Sequence, residues 1–304
     1  MRVAITGGTG FIGGTLASNL CSRGVEVVVV DSAPLSRPPP GPRLKVVKGD
    51  VRDEALLASS FKGCDAVAHL AALKEGHPPS YTKEEMESVN VDGTRKALRA
   101  AESSGVGAFI LASTVAVYGE CSGPASEDVP LSPMSGYGKT KVAAEDECLK
   151  SDGPLLRTAS LRLANVYGPS EGAGAGVVSL FAKAAARRRS LQVYGDGGQT
   201  RDFVHVQDVV AAFESAFARS LPRGSVFNVG TGKGTTLKQV IAFFQNAYGG
   251  GLEVTHLPPR KEIRYSVADI SKARSQLGYS PSISLEEGIQ ECAAAALASS
   301  LADR

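Results

Sequence analysis

The first thirty residues constrain this chain more than any other stretch. A short apolar run, Val3–Ile5, breaks into Thr6-Gly7-Gly8-Thr9-Gly10-Phe11-Ile12-Gly13, and a helical stretch, Gly14–Arg23, leads to a second apolar run, Val25–Val30, that ends at Asp31-Ser32. This reads as strand, glycine turn, helix, strand. Gly7 permits the tight turn, Gly10 lets backbone approach a pyrophosphate, and Gly13 lets the helix pack close to the sheet. The helix N-terminus, with Phe11 and Ile12 in its first turn, offers unpaired N–H groups and the positive end of its dipole. Asp31 stands where a carboxylate accepts hydrogen bonds from an adenosine ribose. A 2′-phosphate there would meet like charge, so the pattern favours NAD over NADP.

The rest of the composition narrows the partners. Thirty-three basic and 31 acidic residues leave a net charge of +2, which suits neither nucleic acid nor a membrane surface. No apolar run reaches bilayer-spanning length and Met1-Arg2 leads straight into the first strand, so a soluble, cytoplasmic protein is expected. The five cysteines (Cys21, Cys64, Cys121, Cys148, Cys292) contain no C-x-x-C pair, and the four histidines lack ligand spacing, so no metal is expected.

Further along, Ala33–Pro42 is proline-rich and reads as a loop leaving the adenosine end of the cofactor. Leu44–Val47 is a third strand followed by Asp50-Val51; Asp50 either accepts from the adenine amino group or caps the helix Glu54–Phe61. Asp65–Leu70 is a fourth strand, and the small residues of Leu70-Ala71-Ala72 let a ribose-nicotinamide portion lie close to backbone. Lys74 follows, either at the cofactor or as a solvated loop lysine. Glu84–Ser103 reads as one helix with Asn90 near its middle. Ala108–Ala112 is a fifth strand whose end carries Ser113 and Thr114, at the carboxyl edge where ligands bind in such sheets. Tyr137 and Lys141 then share one face of a helix running to about Lys150. An ammonium beside a phenol favours the phenolate, so the tyrosine pKa should fall towards that of a general base.

Together, Thr6-Gly7…Gly10…Gly13, Asp50-Val51, Leu70-Ala71-Ala72, Asn90, Ser113-Thr114, Tyr137-x3-Lys141 and Asn165-Val166-Tyr167-Gly168-Pro169 resemble an extended short-chain dehydrogenase/reductase. Tyr194–Val206 and Phe227-Asn228-Val229-Gly230 resemble its nucleotide-sugar branch, most closely the UDP-galactose (UDP-glucose) 4-epimerases. The resemblance implies an α/β fold: a Rossmann-type doubly wound parallel sheet over residues 1–165, with 200–217 returning to it, and a smaller C-terminal α/β substrate lobe over 166–304. It implies NAD held by Gly7, Gly10, Phe11, Ile12, Gly13, Asp31, Ser32, Asp50, Val51, Leu70, Ala71, Ala72, Lys74, Asn90, Ser113, Tyr137, Lys141 and Ala164. It implies a nucleotide sugar, most closely a UDP-hexose, held by Thr114, Tyr137, Asn165, Val177, Gln192, Tyr194, Arg201, Arg260 and Ser266. Catalysis falls to Thr114, Tyr137 and Lys141: tyrosinate takes the 4-hydroxyl proton while C4 gives hydride to NAD, and the 4-ketose turns over to take it back on the other face.

The resemblance departs from the family in one place, where its Arg-x-Gly-Asp is shortened to Arg260-Lys261-Glu262. Dehydratases and decarboxylases of this fold place acids beside the active-site threonine, where this chain has Val115, Ala116 and Val117. Uronate epimerases carry an arginine after the Tyr-Gly-Pro turn, where Ser170 and Glu171 stand here, followed by a glycine-rich run that either forms a lip of the pocket or is a plain surface loop. A neutral hexose is therefore expected, with a ketoreductase, dehydratase or uronate epimerase, or a non-catalytic NAD sensor, as alternatives. Ser266 falls at the family's gate beside the sugar C2 substituent, with Tyr265 as the residue there if the register shifts by one; a small gate leaves room for N-acetyl groups. A homodimer is also expected, packing helices around 84–103 and 137–150 through Ala97, Ala100, Ala101, Ala143 and Ala144.

Overall fold

The alternation of short apolar runs with helical stretches builds a parallel sheet covered on both faces. A computed structural model describes residues 1–34, 43–75, 81–169, 176–219 and 221–302. The chain begins β1 (Arg2–Thr6), α1 (Phe11–Ser22), β2 (Glu26–Asp31), β3 (Leu44–Lys48), α2 (Glu54–Phe61) and β4 (Ala66–His69). It continues through α3 (Lys83–Glu87), a π-turn (Ser88–Asp92), α4 (Gly93–Ser103), β5 (Ala108–Thr114), α5 (Gly136–Ser151) and β6 (Arg157–Leu163). The second half holds β7 (Asn165–Tyr167), α6 (Gly176–Ala186), β8 (Leu191–Tyr194), β9 (Thr200–His205), α7 (Val206–Ala218) and β10 (Ser225–Val229). It ends with β11 (Gly234–Thr236), α8 (Leu237–Ala247), β12 (Val254–Leu257), β13 (Tyr265–Ser266) and α9 (Leu285–Ala302).

Seven strands form one sheet in the order β10-β6-β5-β4-β1-β2-β3, every pair parallel. The fold is a Rossmann-type doubly wound sheet. Because successive residues of a strand face opposite ways, Val3, Ile5, Val27 and Val29 pack with Leu16 and Leu20 of α1 and Val209 and Phe213 of α7. Ala4, Val28 and Val30 pack with Leu57 and Phe61 of α2, Leu98 of α4 and Ala144 of α5. α7 thus lies against the large sheet, and β10 also joins it, although both follow β7–β9 in the chain. A separate core of Tyr167, Phe181, Phe244 and Ile289 holds the smaller lobe, where β9 pairs with β7, β11 and β13 and β8 pairs with β12.

Several boundaries differ from expectation for local reasons. α1 starts at Phe11 rather than Gly14, because Gly10 already has N-cap geometry. The helix expected over 84–103 is interrupted by the π-turn around Asn90. Asp53, not Asp50, caps α2, its side chain accepting from Leu56 N. The proline-rich loop from Leu35, together with Ser170, Glu171 and most of the glycine-rich run after them, lies outside the described residues.

Candidate active site

Two adjoining cavities run along the carboxyl edge of the large sheet. The smaller, 510 Å³, is lined by Gly7, Gly10, Asp31, Ser32, Asp50, Val51, Leu70, Ala71 and Ala72. The larger, 1230 Å³, runs from Gly7, Gly10, Phe11, Ile12 and Gly13 past Thr114, Tyr137 and Lys141 to Arg201, Arg260 and Ser266 in the small lobe. Gly7 and Gly10 border both, so the glycine turn is the saddle between them.

That saddle fits a dinucleotide. Gly7 has φ +71°, and any Cβ on it would press on the Leu70–Ala71 backbone at 2.6–2.8 Å. A Cβ on Gly13 would sit 2.8 Å from Gly8 Cα and against Gly7 O, so only glycine lets α1 close onto the turn. Gly10 differs: its Cβ would meet only Gly7 O, at 3.3 Å, and otherwise would project into the cavity. Glycine there keeps space that a ligand takes. α1 has no side-chain cap and no acid in its first turn, which leaves its positive end for phosphate. Asp31, at the end of β2, accepts from Thr9 N and Ala33 N at 3.0 Å each, which holds its carboxylate at the rim of the smaller cavity. Asp50 lines the same cavity but is also gripped by Arg52, through Nε at 2.9 Å, and this pairing holds its pKa low. Arg52, Tyr81 and Glu85 line this end too and were missed from sequence, because nothing in their spacing marks them.

The chemical end is built from β5 and α5. Thr114 is the last residue of β5; its hydroxyl oxygen accepts from Ala116 N at 3.2 Å, leaving its proton free to donate into the cavity. Ser113, one residue earlier, points to the other face, where its hydroxyl donates to Glu145. The residue still borders the cavity. Asn90 is likewise engaged within the protein. It borders neither cavity, is fully buried, and spends its whole amide on Leu73 and Thr140. Ala164, Asn165, Val177 and Lys74 all line the larger cavity.

Tyr137 and Lys141 are brought together as the helical spacing requires, with Lys141 Nζ 5.8 Å from the tyrosine ring centre. Lys74 Nζ approaches the same ring at 5.8 Å. The expected fall in the tyrosine pKa is not what the structure gives. Burial among protein atoms pushes the phenol up to about 12, and the same burial pushes Lys141 down to about 8. Desolvation penalises both charged forms, and an ammonium at this distance does not offset it. Lys141 is 1% exposed and donates to Ala112 O at 2.8 Å, so the backbone of β5 fixes its head.

In the small lobe, Arg201 lines the cavity while its guanidinium donates to Glu262 at 3.0 Å, and Gln199 donates to the same carboxylate at 3.2 Å. Arg260, Lys261 and Glu262 all line the cavity, so the shortened motif still reaches the site. Arg260 stacks over Tyr194. Tyr194 itself, and the exposed Gln192, do not border the cavity. Ser266 borders it and Tyr265 does not, because alternate residues of β13 face opposite ways. Glu75, Pro133, Met134, Ser135 and Lys139 also line the wall and carry no motif that spacing alone reveals.

Residues 3–230 match the model of the NAD dependent epimerase/dehydratase family. The chain is 36% identical to UDP-glucose 4-epimerase of Mycolicibacterium smegmatis, over 95% of this chain and 96% of that protein. Among solved structures, it is similar to UDP-glucose 4-epimerase of Thermotoga maritima with UDP-glucose, at 33% identity and TM-score 0.89, over 97% and 98% of the two chains. It is also similar to MoeE5 in complex with UDP-glucuronic acid and NAD, at 34% identity and TM-score 0.90, over 98% and 100%. The glycine saddle, the Tyr137–Lys141 pair and a match that spans both lobes lead to one conclusion: the chain belongs to the NAD dependent epimerase/dehydratase family.

Proposed function

We propose that this protein epimerises C4 of a UDP-hexose with NAD retained through the cycle. The observation that carries the reading is a single cavity that joins the glycine saddle to Thr114, Tyr137 and Lys141, with Val115 and Ala116 where an acid for elimination would stand. Relatives named for this reaction, and one solved with UDP-glucose, support it. NAD, when bound against Gly7, Gly10 and Gly13, would supply the hydride chemistry at C4.

The side chains supply the rest. Tyr137 takes the proton from the sugar 4-hydroxyl and later gives one back. Thr114 donates its free hydroxyl proton to the same oxygen and fixes where it sits. Lys141, tied to Ala112 O, brings positive charge to the ring without being able to swing away. Arg201 and Arg260 meet the diphosphate, where bidentate geometry suits phosphate oxygens, and Arg201 exchanges Glu262 for phosphate to do so. Asn165 joins them at the diphosphate, and Val177 also contacts the nucleotide sugar.

A UDP-uronate is the second reading. A similar structure holds UDP-glucuronic acid, and Lys139 and Lys261 add cations to the cavity wall. NMR of the products from a panel of UDP-, dTDP-, GDP- and ADP-hexoses and UDP-uronates, without added NAD, decides between them. UDP-glucose converting to UDP-galactose is expected; uronate turnover alone would overturn the first reading. Tyr137→Phe should keep the fold and bound NAD while lowering turnover at least about a hundredfold, the range for losing a general base. Near-normal activity in that variant would remove Tyr137 from the mechanism.

We also propose a cytoplasmic homodimer. All five cysteines are free, as a reducing compartment keeps them, and no helix among the described residues is long and apolar enough to cross a membrane. The motive from small residues is weakened: Ala97, Ala100, Ala101 and Ala144 are buried in the chain's own core, not presented outward. What α5 does present is Leu149, 61% exposed, while the Arg95–Glu147 pair ties α4 to α5. A monomeric mass by light scattering at micromolar concentration would end the proposal.

A further inference from the structure

Behind the cavity, a hydrogen-bonded chain that the mechanism above does not use joins the glycine turn to the catalytic helix. Thr6 closes β1 immediately before Gly7, and its hydroxyl lies 2.7 Å from His69 Nδ1. His69 Nε2 lies 3.0 Å from Thr94 Oγ1, and Thr94 spends its own proton on Asn90 O at 2.6 Å. Thr94 can therefore only accept from the ring. His69 is thus the tautomer protonated on Nε2, and Nδ1 accepts from Thr6. Asn90 accepts from Leu73 N at 2.7 Å and donates to Leu73 O and to Thr140 Oγ1, both at 2.9 Å. Thr140 then donates to Tyr137 O at 2.8 Å. Every donor proton of the chain is used, and each of the five side chains is at most 4% exposed.

Such a chain is costly to bury unless every member is satisfied, and when satisfied it fixes geometry more tightly than apolar packing does. Its path is also specific. It crosses from the strand ends to α5 through the π-turn, whose Asn90 side chain bonds the loop after β4 while its carbonyl takes the Thr94 hydroxyl four residues on. π-turns of this kind are frequent at functional sites. The loop it holds at Leu73 carries Lys74, and the helix it holds at Thr140 carries both Tyr137 and Lys141.

We propose that His69 and Thr140 are positioning residues, which lock the cofactor loop and the catalytic helix in one register so that Tyr137 is held against the sugar. This rests on Tyr137 being the base, and it adds that its main chain is aimed from the glycine turn through five buried side chains. A displacement of about 1 Å at a reacting group costs on the order of a hundredfold in rate, so loss of the lock should appear in kcat.

The test uses the NAD-loaded enzyme and three variants. Thr140→Val keeps the shape and removes the hydroxyl; it should lower kcat ten- to a hundredfold while KM for UDP-glucose and the amount of bound NAD stay within about threefold. Thr140→Ser restores the hydroxyl and should recover kcat to within about threefold of the parent. Thr94→Val breaks the chain farther from the tyrosine and should lower kcat in the same direction, which keeps the test open if Thr140→Val does not fold. A second readout needs no variant and no turnover. ADP added to enzyme stripped of NAD reaches the glycine turn but lacks the nicotinamide half, and should slow amide exchange in Asn90–Thr94 and Gly138–Lys141 as well as in Gly7–Gly13. Slowing confined to the glycine turn, equal losses in the Val and Ser variants, or kcat within threefold of the parent in the Val variants would each overturn the proposal. Tyr137→Phe separates this from the function itself, because it removes turnover and leaves the exchange pattern intact.

Discussion

His69 makes the fold sensitive to acid in a way that can be calculated. The ring is 0% exposed, and burial first, with the Lys141 charge second, pulls its pKa from 6.5 down to about 3. Protonating it would also put a proton on Nδ1, which faces the Thr6 hydroxyl proton. Between pH 6.5 and 3 the unfolded chain binds a proton here that the folded chain does not. Stability therefore rises with pH across this window and is lost as pH falls through it. At pH 4.5, two pH units below 6.5, the loss is about 2–3 kcal/mol relative to pH 7. His69→Asn keeps an acceptor for Thr6 and cannot titrate. It should be less stable than the parent at pH 7, through the lost bond to Thr94, yet give up about 2–3 kcal/mol less between pH 7 and 4.5. Urea unfolding followed by circular dichroism at both pH values measures this, and the carboxylate contributions common to both proteins cancel in the comparison. A difference in pH-dependent loss below about 1 kcal/mol would refute the assignment of a neutral, buried ring.

Two other expectations can be checked alongside it. Arg162 and Glu145 form a bidentate pair, 6% and 8% exposed, that also engages Ser113 and Tyr118. Arg162→Met strands the carboxylate and should cost about 3–5 kcal/mol, or roughly 5–8 °C in Tm for a chain of this size, whereas Arg162→Met with Glu145→Leu should recover at least half of it. Additive losses in the double variant would show that the pair is not coupled. Ser266→Tyr should suppress turnover of UDP-N-acetylhexosamines selectively by steric clash, and equal loss on plain and N-acetyl sugars would discard Ser266 as the gate.

What could be read from the sequence depended on whether a residue's role is local. The glycine turn, α1 and Asp31 were legible because strand, turn, helix and acid are contiguous. Tyr137 and Lys141 were legible for the same reason, since helical spacing alone puts them on one face. The electrostatics were not, because the sign of a pKa shift depends on how much protein surrounds the group, and that is a property of packing. Seen from sequence, a lysine beside a tyrosine lowers its pKa; in the fold, burial outweighs the lysine. Ser113 and Asn90 were placed in the right region, but the partners of their side chains, Glu145 and Thr140, lie 32 and 50 residues away and are joined to them only by the sheet order and the π-turn. The same holds for Glu262, whose hydrogen bonds to Arg201 and Gln199 cross about sixty residues. Reading the chain residue by residue finds groups that touch the ligand, because ligand chemistry leaves motifs. The groups that aim those residues leave none, because any hydroxyl, amide or imidazole at the right place in the fold can serve. His69, Thr94 and Thr140 are of this second kind, and only the continuity of their hydrogen bonds from Thr6 to Tyr137 distinguishes them from ordinary buried polar residues.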